Sequence, residues 1–279
     1  MPVLSLNTNM MALTASRYLA QTESALAITR ARLSSGLRIN SARDDAAGLA
    51  ISERLLAQIR GTDVAARNAN VGISMAQIGE DAVGSVVDAL QRMSELATEA
   101  ATDLADRALL EVEFDQLQAE VAALVADTEY DGTKLLDAAQ SISFQVGPNA
   151  GQTITVNTTD LSAFADLAGS FALLTLSNPS DPTDTTFASS AIDDLEPMLN
   201  AALSAQAQWG AVQNRFENVV SQLESSSLTL TEARGRIVDA DMAAEASNLA
   251  RLLLLQDSTA AMLAQANAQR RQVLSLLLS

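Results

Sequence analysis

The two ends of this 279-residue chain carry the same apolar repeat, and neither end holds a second helix to cover it. Near the N-terminus Leu19, Leu26 and Leu33 recur every seventh residue, with Ala20 and Ala27 beside them. Near the C-terminus Leu249, Gln256, Leu263 and Leu277 keep the same rhythm, and Leu252–Leu255, Ala260 and Ala266 widen the stripe. Only another helix laid against its seam closes a seven-residue apolar repeat. Two such ends, separated by the whole middle of the chain, predict termini that pair with each other. The Leu252–Leu255 run, Leu253 included, spreads around more than one side of its helix, whereas a two-helix coil has one seam. Each exposed Leu that becomes fully buried is worth about 1.5–3 kcal/mol, so the surplus leucines predict burial between copies of the chain. Before assembly both arms are expected to be largely disordered, because long helices without tertiary packing are marginal.

Between the ends the pattern goes out and comes back. Asn7 or Thr8 can cap a first helix to about Leu33, roughly 40 Å at 1.5 Å per residue, and Ser34-Ser35-Gly36 breaks it. A second helix is expected from Asp44-Asp45, acids that suit the positive end of a helix dipole. Val71, Met75, Ile78, Ala82, Val86, Leu90, Met93 and Ala97 give it one three-to-four stripe. Gly61, Gly72, Gly79 and Gly84 interrupt it at up to about 1 kcal/mol each relative to Ala; they permit either close helix contact or a bend. A third helix over about Leu104–Asp127 buries Leu110, Phe114, Leu117, Val121 and Leu124, and stops before a turn at Tyr130-Asp131-Gly132. The period then changes to two. Ile142, Phe144 and Val146, then Ile154 and Val156, flank Gly147–Gly151 as a β-hairpin. Helix returns near Ala191 with Trp209, Val212, Phe216, Val219 and Leu223 as its stripe, and a break near Gly235 precedes the last helix.

The expected fold is therefore mainly α: an elongated helical rod with N- and C-terminal coiled-coil arms, an α-helical bundle body and a small β-hairpin region. Its parts are expected as an arm and linker at 1–43, a helical body with the hairpin at 44–156, a short variable outward-facing segment at 157–190, a return helix at 191–235 and a second arm at 236–279.

Composition removes most chemistry. With no Cys and no His, disulfides, thiolate nucleophiles, imidazole bases and the usual zinc and haem ligand sets are excluded. No glycine-rich phosphate loop is present and Lys134 is the only lysine, so no enzyme and no cofactor is expected. Asp239, Asp241 and Glu245 read as a dipole-favoured helix start, not a cation site, since only Asp241 and Glu245 share a face. No apolar run approaches the roughly 20 residues that span a bilayer, so membrane insertion is not expected. The start Met1-Pro-Val-Leu-Ser-Leu-Asn7 lacks the pattern of a cleaved secretory signal, which predicts a protein that stays in the cytoplasm or leaves by a route that removes nothing.

The net charge of −17 is segregated: residues 1–60 hold seven Arg against four acids, residues 61–200 four basic residues against 23 acids, and residues 201–279 six Arg against seven acids. Near-neutral ends and an acidic middle suit a molecule whose ends pack against copies of themselves while its middle faces water. No basic stripe favours nucleic acid.

The segment Arg32-Leu-Ser-Ser-Gly-Leu-Arg-Ile-Asn-Ser-Ala-Arg-Asp-Asp-Ala-Ala-Gly-Leu-Ala-Ile-Ser52 closely resembles the N-terminal signature of bacterial flagellins. Leu6-Asn-Thr-Asn9 with Ala12-Leu13 is similar to the family's opening, and Phe144-Gln-Val-Gly-Pro-Asn-Ala-Gly-Gln-Thr-Ile154 to its body hairpin. Trp209-Gly-Ala-Val-Gln-Asn-Arg-Phe-Glu217, Ile237-Val-Asp-Ala-Asp-Met-Ala-Ala-Glu245, Ala261-Met-Leu-Ala-Gln-Ala-Asn267 and Val273-Leu-Ser-Leu-Leu277 resemble its C-terminal motifs. The resemblance covers roughly residues 1–155 and 190–279 in the family's order.

It implies a subunit of the flagellar filament, secreted to the cell exterior through the flagellar secretion apparatus with an export chaperone and without signal cleavage. It further implies swimming motility, self-assembly into a helical polymer, and contacts with hook-associated and filament-cap proteins. Leu19, Leu26, Leu33, Leu249, Leu253, Leu263 and Leu277 are then assembly residues, as are Arg38, Asn40, Arg43, Asp44 and Asp45, with Arg38 and Arg43 reaching acids on neighbouring copies. Some flagellins are sensed by an innate toll-like receptor; Gln91, Arg92, Leu96 and Glu113 match that surface, while Ser94 stands where a basic residue is common. The alternatives are a hook–filament junction protein with flagellin-like ends and a surface adhesin acting through 157–190.

Overall fold

Asn9 and Gly36 bracket the first helix, α1 (Met10–Ser35): Asn9 Oδ1 accepts the Ala12 N–H, and Gly36, at φ 72°, donates its own N–H to the Arg32 carbonyl. A left-handed φ there is strained for any residue with a Cβ. The computed structural model describes residues 8–102, 105–165, 175–176 and 185–278, with side chains in the last helix as far as Gln272. Further helices follow as α2 (Ala46–Ala100), α3 (Arg107–Asp127), the short α4 (Ser162–Ala165), α5 (Thr186–Val238) and α6 (Met242–Leu278). Between α3 and α4 lie two antiparallel hairpins, β1 (Glu129–Tyr130) with β2 (Thr133–Lys134), and β3 (Ser141–Gln145) with β4 (Thr153–Asn157). The fold is mainly helical, as the periodicity predicts. The chain divides into two units, one made of residues up to Ala57 with those from Thr229 on, the other of Gln58–Leu228.

In the first unit α1 and α6 lie antiparallel. Asn9 Nδ2 donates to the Ala266 carbonyl (3.2 Å) and, at the other end, Arg32 Nη1 meets Glu245 Oε1 (3.0 Å). These ties are about 33 Å apart along either helix at 1.5 Å per residue. The break before α6 falls at residues 239–241, not at Gly235. Gly235 keeps its place in α5, and the stop comes where Leu37 and Asp239 pair as an antiparallel bridge. Arg38 N–H donates to the Val238 carbonyl and Ala240 N–H to that of Gly36, so the strand-like stretch after α1 supplies the backbone partners that halt α5.

The second unit is built on an aromatic-into-glycine fit between α2 and α5. A Cβ on Gly72 would stand 2.5 Å from the Phe216 ring, and one on Gly79 would stand 2.7 Å from the Trp209 indole. Both pairs are seven residues apart on both helices, so the rings seat in successive notches of one antiparallel seam. The structure thus answers the question the sequence leaves open at these two positions: they permit close contact. Val71 and Ile78, expected in that seam, are instead 42% and 40% exposed. The expected Met75, Val86, Leu90, Met93 and Ala97 are buried, and only in the first half of the helix does the inner stripe run one residue later, through Ala65, Gly72 and Gly79.

The hairpin β3–β4 follows the alternation read from the sequence: Ile142 pairs with Val156 and Phe144 with Ile154, all on the core side. Phe144 meets Phe216 edge-on, with ring centroids 5.4 Å apart. At the smaller hairpin Asp131 (φ 50°) and Gly132 (φ 75°) make the two-residue turn that Asp-Gly favours. Segment 157–190, expected to face outward, is described only in part, and those parts include inward anchors. Leu161, Phe164 and Leu176 are buried in the body core, and Leu176 N–H donates to Glu111 Oε2. Its polar composition masks these three residues. The Asn178–Pro182 loop lies outside the described residues.

Candidate assembly interface

Two helices can close only one seam, and the arms show which residues close it. On α1 the least exposed positions include Ala12, Ala15, Leu19, Thr22, Leu26, Thr29 and Leu33 in a three-four alternation, with Ala25 and Arg32 beside it. On α6 they include Leu249, Leu252, Gln256, Thr259, Leu263 and Ala266 in the same alternation. Only Leu26 and Thr29 on α1 are fully buried. Thr and Gln at seam positions leave little apolar area to bury, so the seam is weak for its length. The remaining apolar side chains point away. Met11, Leu13 and Tyr18 on α1, and Leu253, Leu255 and Met262 on α6, are exposed, and Leu254 is 71% exposed. Of the four-leucine run, Leu252 alone faces the partner arm. Leu277 lies on α6, and its side chain falls outside the described residues.

The linker between α1 and α2 is stapled to its own chain. Asn40 Nδ2 donates to the Ala31 carbonyl and to Ser35 Oγ, tying the segment back to the end of α1. Asp44 Oδ2 accepts the Asn40 and Ser41 N–H groups and the Ser41 hydroxyl, which holds its carboxyl below the usual value of 3.8. Asp45 caps α2 by accepting the Gly48 N–H (2.9 Å). Ile39 is buried, and a Cβ on Gly48 would stand 2.8 Å from its Cδ1. Arg38, expected to reach a neighbouring copy, gives one guanidinium nitrogen to the Ile237 carbonyl of its own chain. Arg43 is exposed and makes no side-chain hydrogen bond or ion pair among the described residues. Asp241 caps α6 through the Ala243 and Ala244 N–H groups.

On the body, Arg92 bridges helices: its Nε meets Glu113 Oε1 (2.7 Å) and its Nη1 meets Glu95 (3.0 Å), so the two carboxylates hold the guanidinium charged and raise its pKa. Gln91, Arg92 and Glu113 are exposed, whereas Leu96 is fully buried in the core and is removed from the expected receptor surface. One structural residue escaped the sequence reading. Arg107 is buried and donates to the carbonyls of Ala100 and Thr102, satisfying the end of α2. A lone arginine at a helix start carries no pattern that announces such a role. Among the described residues no cluster of three metal-binding side chains occurs, and no helix is long and apolar enough to cross a membrane.

A family model described as the bacterial flagellin N-terminal helical region matches residues 6–141, and one described as the bacterial flagellin C-terminal helical region matches residues 192–277. The chain is 43% identical to a flagellin of Halalkalibacterium halodurans, over 88% of this chain and 89% of that protein. It is 38% identical to a flagellin of Bacillus subtilis over 98% and 99%. It is 34% identical to the flagellar filament 33 kDa core protein of Treponema phagedenis over the same shares. Its fold is similar to that of a putative flagellar hook-associated protein from Vibrio parahaemolyticus, with a TM-score of 0.59 at 14% identity over 70% of this chain and 100% of that one.

Proposed function

This chain belongs to the bacterial flagellin family and is a structural subunit of the flagellar filament, and from that premise we propose that its polymerisation is driven by the paired arms. The observation that carries this reading is the apolar surplus on α1 and α6, whose single seam leaves Leu13, Tyr18, Leu254 and Met262 in water. Copies packed around the arm pair cover those residues at about 1.5–3 kcal/mol for each large side chain fully buried. Leu19, Leu26, Leu33, Leu249 and Leu263 then hold each arm pair together, while Leu253 faces a neighbour. Arg43 supplies an unpaired cation for an acid on an adjoining copy.

The filament lies outside the cell and serves swimming. The chain reaches it through the flagellar secretion apparatus with an export chaperone, and arms with so few buried residues are easily held unfolded for that passage. Hook-associated and cap proteins meet the same arms at the filament's ends. A toll-like receptor reading the body would engage Gln91, Arg92 and Glu113, with Arg92 and Glu113 already joined.

Purified monomer given ammonium sulfate and viewed by negative-stain electron microscopy tests the reading, beside a chain lacking residues 238–279. Uniform filaments from the intact chain alone are expected. Filaments from the shortened chain would remove the arms as the driving force.

A further inference from the structure

Exposure divides the methionines of this chain, and the division follows its two units. Met10, Met11, Met242 and Met262, all on the arm helices α1 and α6, are between 47% and 65% exposed. Met75, Met93 and Met198 lie in the body core and are at most 3% exposed. Met1, the one other methionine, lies outside the described residues. Three of the exposed four gather at one end of the arm pair. Met10 and Met11 follow Asn9, whose Nδ2 donates to the Ala266 carbonyl, and Met262 stands four residues before Ala266 on the antiparallel helix. At 1.5 Å per residue they lie within about 6 Å of that tie along the arm axis.

Thioethers are the most readily oxidised side chains this chain offers to solvent. It has no Cys, and its one tryptophan is buried. Oxidation turns the flexible, apolar methionine side chain into a polar, chiral sulfoxide. The sulfoxide oxygen accepts hydrogen bonds and has no proton to give, so packing it into an apolar contact without a donor costs free energy. Leu13 and Leu254, exposed on the same two helices, are apolar neighbours of this kind. A sulfur already packed in the body is shielded from the same reagent.

We infer that Met10, Met11, Met242 and Met262 are oxidation sites through which a peroxide reversibly withholds the free subunit from polymerisation, a control that rests on the polymerisation reading above. In the step itself the methionine sulfur attacks one oxygen of hydrogen peroxide. An S–O bond forms as the O–O bond breaks, and the departing hydroxide takes the proton left on the transferred oxygen, giving water. Sulfur gives up two electrons and the peroxide accepts them. Each sulfoxide then sets a polar oxygen where a neighbouring arm must pack. The body keeps its fold, because its own methionines are inside it. Copies already in a filament hold the arm sulfurs covered, so the oxidant discriminates between free subunit and polymer. A methionine sulfoxide reductase, drawing on a dithiol, returns the thioether and with it assembly.

The test treats full-length monomer with hydrogen peroxide and maps the sulfoxides by mass spectrometry of its peptides. The four arm methionines are expected to oxidise at least about tenfold faster than Met75, Met93 and Met198, with Trp209 fluorescence unchanged. Oxidised monomer, seeded in ammonium sulfate, is expected to leave at least about tenfold more protein in the supernatant than untreated monomer. Reductases for both sulfoxide epimers, with dithiothreitol, are expected to bring that back to within about threefold. M10L/M11L/M242L/M262L keeps apolar side chains of similar volume and is expected to assemble after peroxide as it does before. Oxidised wild type that assembles like untreated protein overturns the proposal, as does a fourfold variant that peroxide still disables or a loss that the reductases do not restore. If untreated wild type forms no filaments, the polymerisation reading falls first and this control with it.

Discussion

Gly79→Ala tests whether the ring-in-notch fit sets the packing of the body. The new Cβ would stand 2.7 Å from Trp209 Cε2 and 2.8 Å from Cδ2, where ordinary carbon contacts lie at about 3.5–4.0 Å. The indole would have to retreat by about 1 Å from a site where it is 2% exposed, and overpacking of that kind costs about 1–3 kcal/mol. Against this stands the gain in helix propensity, up to about 1 kcal/mol for Gly to Ala. Gly210, the residue after Trp209 on α5, supplies the control, because a Cβ there meets nothing within 4 Å. Gly210→Ala therefore collects the propensity gain alone. Propensity cancels between the two variants, so their stabilities should differ by about 1–3 kcal/mol, with Gly79→Ala the weaker. The chain has one tryptophan and it is the reporter. Urea unfolding followed by its fluorescence gives the two midpoints, and emission of the folded state reports whether the ring has moved. A Gly79→Ala protein as stable as Gly210→Ala, with unchanged emission, refutes the notch.

Three further outcomes are expected. Leu26→Ala removes the most buried leucine of the arm seam, costs about 2–3 kcal/mol and raises the monomer concentration needed for filaments, read by sedimentation. Arg32→Leu strands the Glu245 carboxylate, whose side chain is 10% exposed, and should destabilise the arm unit by about 1–3 kcal/mol, read in urea titrations of assembled filaments followed by helical circular dichroism. Glu245→Gln keeps an oxygen acceptor for Arg32 and should cost less. Asp44 has its pKa lowered, first by the Asn40 N–H and then by the Ser41 hydroxyl and N–H. Its contribution is present above the usual value of 3.8 and is lost as pH falls through the lowered value. The amide resonances of Asn40 and Ser41 should move together at that lower pH, and Asp44→Asn should abolish the transition.

The arms were legible because leucines at strict seven-residue intervals admit few structures. Leu19, Leu26 and Leu33 face α6, and Gly36, Asp45 and Asp241 act where residues of their kinds usually act, at helix ends, while the cap expected of Asn7 or Thr8 falls to Asn9. The linker was legible as a motif but not as a set of bonds. Asn40 and Arg38 reach backbone carbonyls, and a carbonyl leaves no mark in a sequence. Gly235 misled for a related reason: a glycine permits a break without requiring one, and the stop was supplied by Leu37, some 200 residues earlier in the chain. Leu161, Phe164 and Leu176 were hidden because their segment is dominated by Ser, Thr, Asp and Pro.

The error on α2 says most about what such a chain is for. Reading one stripe through Val71, Met75 and Ile78 joined the buried Met75 to an outer seam that lies one residue before the inner one. Periodicity detects a seam without saying who fills it, and here the usual size rule is inverted between them. Ala65, Gly72 and Gly79 are inside, because the return helix brings Phe216 and Trp209 and needs room for them. Val64, Val71 and Ile78 are outside, although they are the larger apolar residues. A chain that functioned alone would gain by swapping them, since each half-exposed valine forgoes part of the about 1.5–3 kcal/mol that full burial supplies. A chain that stacks need not, because its outer residues are open to a neighbouring copy. Small residues within and large ones without, at the same seven-residue interval, are thus what a helix would carry if it packed twice: once in folding and once in assembly.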